Sequence, residues 1–210
     1  LWHLQSKVHT FVMNQNYRRN YLMITNETLK IIKQRRSIRS FRDEQIREEE
    51  LQAVLEAGLY APNAGDQAWH FTVVQNSELL DRLNLTAKEA ARQMDMEHLR
   101  ELGNNEKFNC LYGAPTLIIV SGNEYSPIPL EADCAAATQN ILLAAESIGL
   151  GSCWIFFVLL AFYSPQGSEL RKELKILEGY RPYSSAVIGY KKAAVVNIPN
   201  RKPDLITYIR

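Results

Sequence analysis

At 210 residues, with 46% apolar and 22% charged positions, the chain suits one globular domain long enough to bury a substantial core. A formal net charge of +1 argues against wholesale polyanion binding, so any nucleic-acid contact would have to be local. The longest strongly apolar run, WIFFVLLAFY (154–163), falls short of the roughly 20 residues a bilayer span needs, and the four histidines (3, 9, 70 and 98) lack metal-ligand spacing, so no metal is expected.

In chain order, LWHLQSKVHTFVMNQNYRRNYLM (1–23) has no clean signal-peptide pattern, because His, Lys and Asn interrupt its apolar runs. Residues 1–24 are set apart as an amino-terminal extension of open role. TNETLKIIKQRR (25–36) predicts a short helix capped by Thr25 or Asn26. REEELQAVLEAGLYAP (47–62) predicts an amphipathic helix with Leu51, Val54, Leu55 and Leu59 on one stripe, acidic in its first turn and ended by Pro62. HFTVVQ (70–75) predicts a strand, and a polar helix follows from Ser77 into the 90s. The charged stretch MDMEHLRELGNNEKFNC (94–110), with its G-N-N break, is expected to be a loop or lid.

TLIIVSG (116–122) is a continuous apolar run suited to a strand covered on both faces. DCAAATQNILLAAESIG (133–149) predicts a central buried helix ended by Gly149, in which Gln139 and Asn140 read as tethers from helix to sheet. GSCWIFFVLL (151–160) starts as a strand, SPQGSELRKELKI (164–176) starts a helix, SSAVIGY (184–190) is a last strand, and the tail NIPNRKPDLITYIR is expected to be extended. Helices and strands intermix without repeats or linkers, giving one α+β or mixed α/β domain over 25–210. Cys110, Cys134 and Cys153 are odd in number, lie in apolar surroundings and form no C-x-x-C pair, which favours buried thiols in a reducing cytoplasm.

RRSIRSFR (35–42) places four arginines in eight positions of a nearly neutral chain. Guanidinium groups match a phosphate edge with paired hydrogen bonds, and a hydroxyl can fill a remaining acceptor position. The bland alternative is that these arginines meet the dipole of the preceding helix and point into water.

RRSIRSF, YAPNAGDQAWHFTVV, DCAAATQNILLAAESIGLGSCWIF, SPQGSELRKEL, EGYRPYSSAVIGYKK and NRKP occur in the order found in the nitroreductase family, which this chain resembles from about residue 25 to 210. The resemblance implies a central, mostly antiparallel sheet flanked by helices in an interlocked homodimer, with FMN in the subunit interface. It implies an FMN-dependent oxidoreductase that takes hydride from NADH or NADPH at flavin N5 and passes it, by ping-pong, to an electron-poor acceptor such as a nitroaromatic or quinone. No side-chain acid or base is nominated, because the flavin carries the chemistry.

By the resemblance, Arg35, Arg36, Ser37 and Arg39 serve the flavin's phosphate, ribityl chain and pyrimidine edge, and Arg201 is a late phosphate-binding arginine. Pro62, Asn63, Ala64, Asp66 and Gln67 form the loop that reaches the partner's flavin, although this loop is one residue shorter than is common in the family. Cys153, Trp154, Ile155, Phe156 and Phe157 pass along the ring, with the Phe156 amide as donor to N5, and Gly189 lies in another matching segment. Residues 94–112 and 157–163 are candidate gates. Three other readings stay open: a flavin-holding protein without turnover, a relative with a different reductive reaction such as enone reduction or dehalogenation, and a nucleic-acid adaptor built on RRSIRSFR.

Overall fold

In the computed structural model the described residues are 24–193, 199–202 and 205–210; the amino-terminal extension falls outside them apart from Ile24. The first helix, α1 (Glu27–Gln34), starts where the Asn26 side chain accepts the Leu29 N–H at 2.9 Å. Helix α2 (Glu48–Leu59) begins with three glutamates at the positive end of its dipole. The third of them, Glu50, accepts the otherwise orphaned Arg47 N–H at 2.9 Å. Leu51 and Val54 bury one side of α2, whereas Leu59 lies exposed beyond the stripe.

After strand β1 (Trp69–Val74) come helices α3 (Ser77–Arg92) and α4 (Glu97–Asn104). The expected loop at 94–110 therefore contains a helix. Gly103 lies inside α4 because only a hydrogen fits there: a Cβ would stand 2.7 Å from the Lys88 carbonyl oxygen of α3. Strand β2 (Thr116–Asn123) is buried along nearly its whole length, as its unbroken apolar run requires. Helix α5 (Leu130–Ser147) is buried on one broad side, and Asn140 tethers it to α2 through the Ala57 carbonyl at 3.0 Å, not to the sheet, while Gln139 is exposed.

Strand β3 (Gly151–Trp154) is short. The apolar residues after it close into a 3₁₀ helix (Phe157–Tyr163), followed by α6 (Gly167–Glu173) and strand β4 (Tyr180–Gly189). The four strands form one antiparallel sheet in the order β1-β2-β4-β3. Alternate residues of the strands face opposite layers. Leu117, Ile119 and Val187 meet Leu83 and Ala87 of α3 and Val158 of the 3₁₀ helix, whereas Ile118, Val120 and Ile188 meet Val54 of α2 and Ile141 of α5. The architecture is α+β, a sheet between two helical layers. None of the described helices is long and apolar enough to cross a membrane.

Candidate functional site

The arginine-rich stretch leaves α1 and runs along the sheet beside its β3 edge. Ser37 and Ser152 form a parallel bridge, and the Ile38 N–H donates to the Ser152 carbonyl at 2.9 Å. Four residues on, Phe41 bridges Lys191, with the Arg42 N–H on the Tyr190 carbonyl at 3.0 Å. Buried Ile38 and Phe41 anchor the stretch. Gly189 belongs to this anchoring: a Cβ there would meet Pro115 at 2.9 Å and Phe41 at 3.0 Å, so its small size serves packing.

Cys153 follows Ser152 in β3, beside the arginine stretch. Burial pushes its thiol up, and the groups opposing that shift are the Arg39 guanidinium, the Ser37 hydroxyl and the Arg35 guanidinium. The Ser37–Ser152 bridge thus seats the serine, with Arg35 and Arg39 two residues to either side of it, against β3. Among the described residues, Arg35, Arg36 and Arg39 form no ion pair with a carboxylate. Arg36 behaves differently from the other two. Its guanidinium folds back onto the Arg35 carbonyl at 2.6 Å and onto the Lys33 carbonyl, satisfying the free end of α1. The helix-end reading applies to Arg36, and Arg42 is exposed.

Beyond Cys153 the backbone is fixed on both sides of Ile155, whose N–H donates to the Ser185 carbonyl at 2.9 Å and whose carbonyl accepts the Ser185 hydroxyl. Trp154 and Phe156 are partly and largely exposed. Phe156 precedes the 3₁₀ helix, where no side chain caps the first amides. Phe157 turns inward and meets Phe108 edge-on at 5.1 Å.

The 62–67 loop is organised by contacts within the chain. Asn63 Oδ1 accepts from Gly65 N–H at 2.8 Å and from Gln67 N–H at 3.4 Å, buried Asp133 accepts from Ala64 N–H at 3.2 Å, and Asp66 accepts from the Ser126 hydroxyl at 2.8 Å. Pro62, Ala64, Asp66 and Gln67 stay exposed, and Gln67 takes a left-handed φ of 49°. Among the described residues no hydrogen bond or ion pair joins this loop, or exposed Arg201, to the arginine cluster.

Three residues join the neighbourhood that sequence reading passed over. Tyr112 lies against Arg39, whose guanidinium carbon is 5.8 Å from the ring centroid. Lys88, buried in α3, donates to the Asn105 and Phe108 carbonyls at 2.7 and 3.1 Å, and buried Asn84 accepts the Cys110 N–H at 2.9 Å. These bonds pin residues 105–112, so this half of the expected gate is a braced wall. The one available signal was the turn pair Tyr112-Gly113 ahead of Ala-Pro; a lysine and an asparagine in a polar-looking helix gave none. The Cys110 and Cys134 thiols, both pushed up to about 12 mainly by burial, are packing groups.

FMN offers a dianionic phosphate and a polar ring edge. The residues at this site fit it: unpaired cations and a hydroxyl, uncapped amides and exposed aromatics.

Comparison with known proteins bears on the whole of this region. The Nitroreductase family profile matches residues 32–190. A nitroreductase with bound FMN from Bacteroides fragilis superposes with a TM-score of 0.82 at 39% identity, covering 89% of this chain and all of that one. A second, also with bound FMN, from Desulfitobacterium hafniense, superposes at 0.81 with 32% identity over 89% of this chain and 100% of its own. A relative from Archaeoglobus fulgidus that bears the provisional name NADH dehydrogenase/NAD(P)H nitroreductase is 35% identical over 172 residues, 79% of this chain and 86% of its own. With the profile spanning residues 32–190 and these relatives in agreement, the chain belongs to the nitroreductase family.

Proposed function

We propose that this protein is an FMN-dependent NAD(P)H oxidoreductase whose cofactor site is built on Arg35, Ser37, Arg39 and the 153–157 segment. The observation that carries the reading is the bridge that seats Ser37 on Ser152, next to Cys153 and flanked by Arg35 and Arg39, with neither arginine matched by a carboxylate among the described residues. When bound, FMN supplies a carrier that accepts hydride from NADH or NADPH and passes it to an electron-poor acceptor. The chain's own part is to hold and expose that carrier. Arg35 and Ser37 take the phosphate end, Arg39 brings a cation to the ring, and the Phe156 amide offers a hydrogen-bond donor at the other end. Exposed Phe156 and Trp154 offer apolar rings suited to stacking on aromatic acceptors such as nitroaromatics and quinones.

The site is completed by a second copy of the chain. The exposed apolar groups support this: Tyr60 at the end of α2, Phe156 at the site, and Leu205, Ile206, Tyr208 and Ile209 in the tail lie open to water in one protomer. In the dimer the 62–67 loop, held in shape by Asp133 and Ser126, presents Gln67 to the partner's flavin, and Arg201 supplies a further cation to a phosphate.

The test is an anaerobic titration of FMN-loaded protein with NADH and with NADPH, then turnover with a nitroaromatic and a quinone. Bleaching of the flavin followed by reoxidation on adding acceptor is expected. Flavin that stays oxidised under excess of both reductants would leave only a flavin-holding protein, and a chain that takes up no FMN would end the reading.

A further inference from the structure

The side chain of Tyr112 emerges between buried neighbours. Cys110, Leu111 and Ala114 are all in the core, yet Tyr112 is half-buried, and its backbone takes a left-handed φ of 56° before Gly113 at 71°. Glycine enters that region freely, whereas a tyrosine enters it under strain and stays only when its surroundings force it there. They do so here. The Tyr112 N–H donates to the Asn109 carbonyl at 3.0 Å, the Asn109 side chain takes the Leu111 N–H at 2.8 Å, and Asn84 and Lys88 fix the turn from below. The ring is thereby set beside Arg39. Phe108 braces it edge-on at 6.4 Å and also meets Phe157 edge-on at 5.1 Å, so Tyr112, Phe108 and Phe157 form one aromatic row.

We propose that Tyr112 is a positioning residue that acts through Arg39: its ring face holds the guanidinium in the FMN site and thereby makes the site favour reduced over oxidised FMN. The proposal rests on the FMN reading above. Arg39 is exposed and forms no ion pair among the described residues, so no carboxylate there restrains its many rotamers. A guanidinium within about 6 Å of an aromatic centroid is attracted to the ring face. Reduced flavin carries more negative charge than oxidised flavin, so a cation kept in place favours the reduced form more than a wandering one does.

The experiment compares two-electron midpoint potentials of FMN-loaded wild type, Tyr112→Phe and Tyr112→Leu by anaerobic equilibration with a reference dye. The leucine variant is expected to lose about fivefold of the preference for reduced FMN, a fall of roughly 20 mV at about 30 mV per tenfold. Phenylalanine, which keeps the ring, restores the wild-type potential. In an Arg39→Met background, where the ring has no cation to hold, Tyr112→Leu adds no further fall. A leucine variant at the wild-type potential, a phenylalanine variant that falls as far as leucine, or an undiminished fall without Arg39 would each overturn the proposal. Should leucine prevent folding, Tyr112→Asn, which suits left-handed backbone, carries the same comparison. Failure of the underlying reading shows itself separately and earlier, as wild-type protein that takes up no FMN.

Discussion

Glu50 sits in the first turn of α2, nearly buried, with its carboxylate accepting from the Arg47 guanidinium at 2.8 Å and the Tyr190 hydroxyl at 2.6 Å. The Arg47 hydrogen bond first and the Tyr190 one next lower its pKa from 4.5 to about 2. A depressed folded-state pKa stabilises the fold above the unfolded value, and that contribution drains away as pH falls from about 4.5 toward 2. Thermal unfolding followed across this window should show the loss, and Glu50→Gln should flatten it while costing about 1–3 kcal/mol at neutral pH. At the site itself, Arg35→Ala is expected to weaken FMN binding on the order of ten- to a hundredfold, the worth of a charge-assisted phosphate contact. Riboflavin, which has no phosphate, should bind both proteins alike in a fluorescence titration. Both side chains were visible in the sequence, yet only Arg35 was read for function. Glu50 looked like one of three solvated glutamates because its partner Tyr190 lies 140 residues away.

Among the elements, those whose burial follows from a simple period were legible, and those set by distant partners were not. Strand β2 and helix α5 announce themselves because one carries an unbroken apolar run, Leu117–Val120, and the other is alanine-rich over five turns. Helix α4 hides behind its charges, since among its residues only Gly103 is buried, against the backbone of α3. Gly103→Ala should therefore drive a methyl into the Lys88 carbonyl, lowering stability by about 1–3 kcal/mol in denaturant unfolding and loosening hydrogen exchange in 105–112. The 3₁₀ helix at Phe157–Tyr163 was masked by β-prone residues, and tertiary packing against α3 decided its form. Strand β4 begins four residues before the sequence suggests because Pro182 falls opposite Ser121, at the irregularity between Val120 and Ser121, where an absent N–H is tolerated.

For the molecule as a whole, the proposed dimer is the feature with the largest consequence for exposed apolar surface. Light scattering should give a mass twice that of the 24.0 kDa chain, and a charged substitution such as Ile209→Glu, on a residue 97% exposed in one protomer, should shift it toward the single chain. The proposed site is legible as a set of stretches, because phosphate chemistry demands arginine and serine close together. Its assembly was not, since the bridge from Ser37 to Ser152 and the contact of Tyr112 with Arg39 join residues far apart in sequence.

The strand order β1-β2-β4-β3 carries one more consequence, for synthesis. The ribosome delivers the arginine stretch early and β4 late, yet β4 lies between β2 and β3, and its end holds the arginine stretch through Phe41 and Lys191. A nascent chain that has not yet delivered β4 therefore has neither a joined sheet nor an anchored arginine stretch, and the proposed flavin seat must wait for that strand before it can acquire its colour.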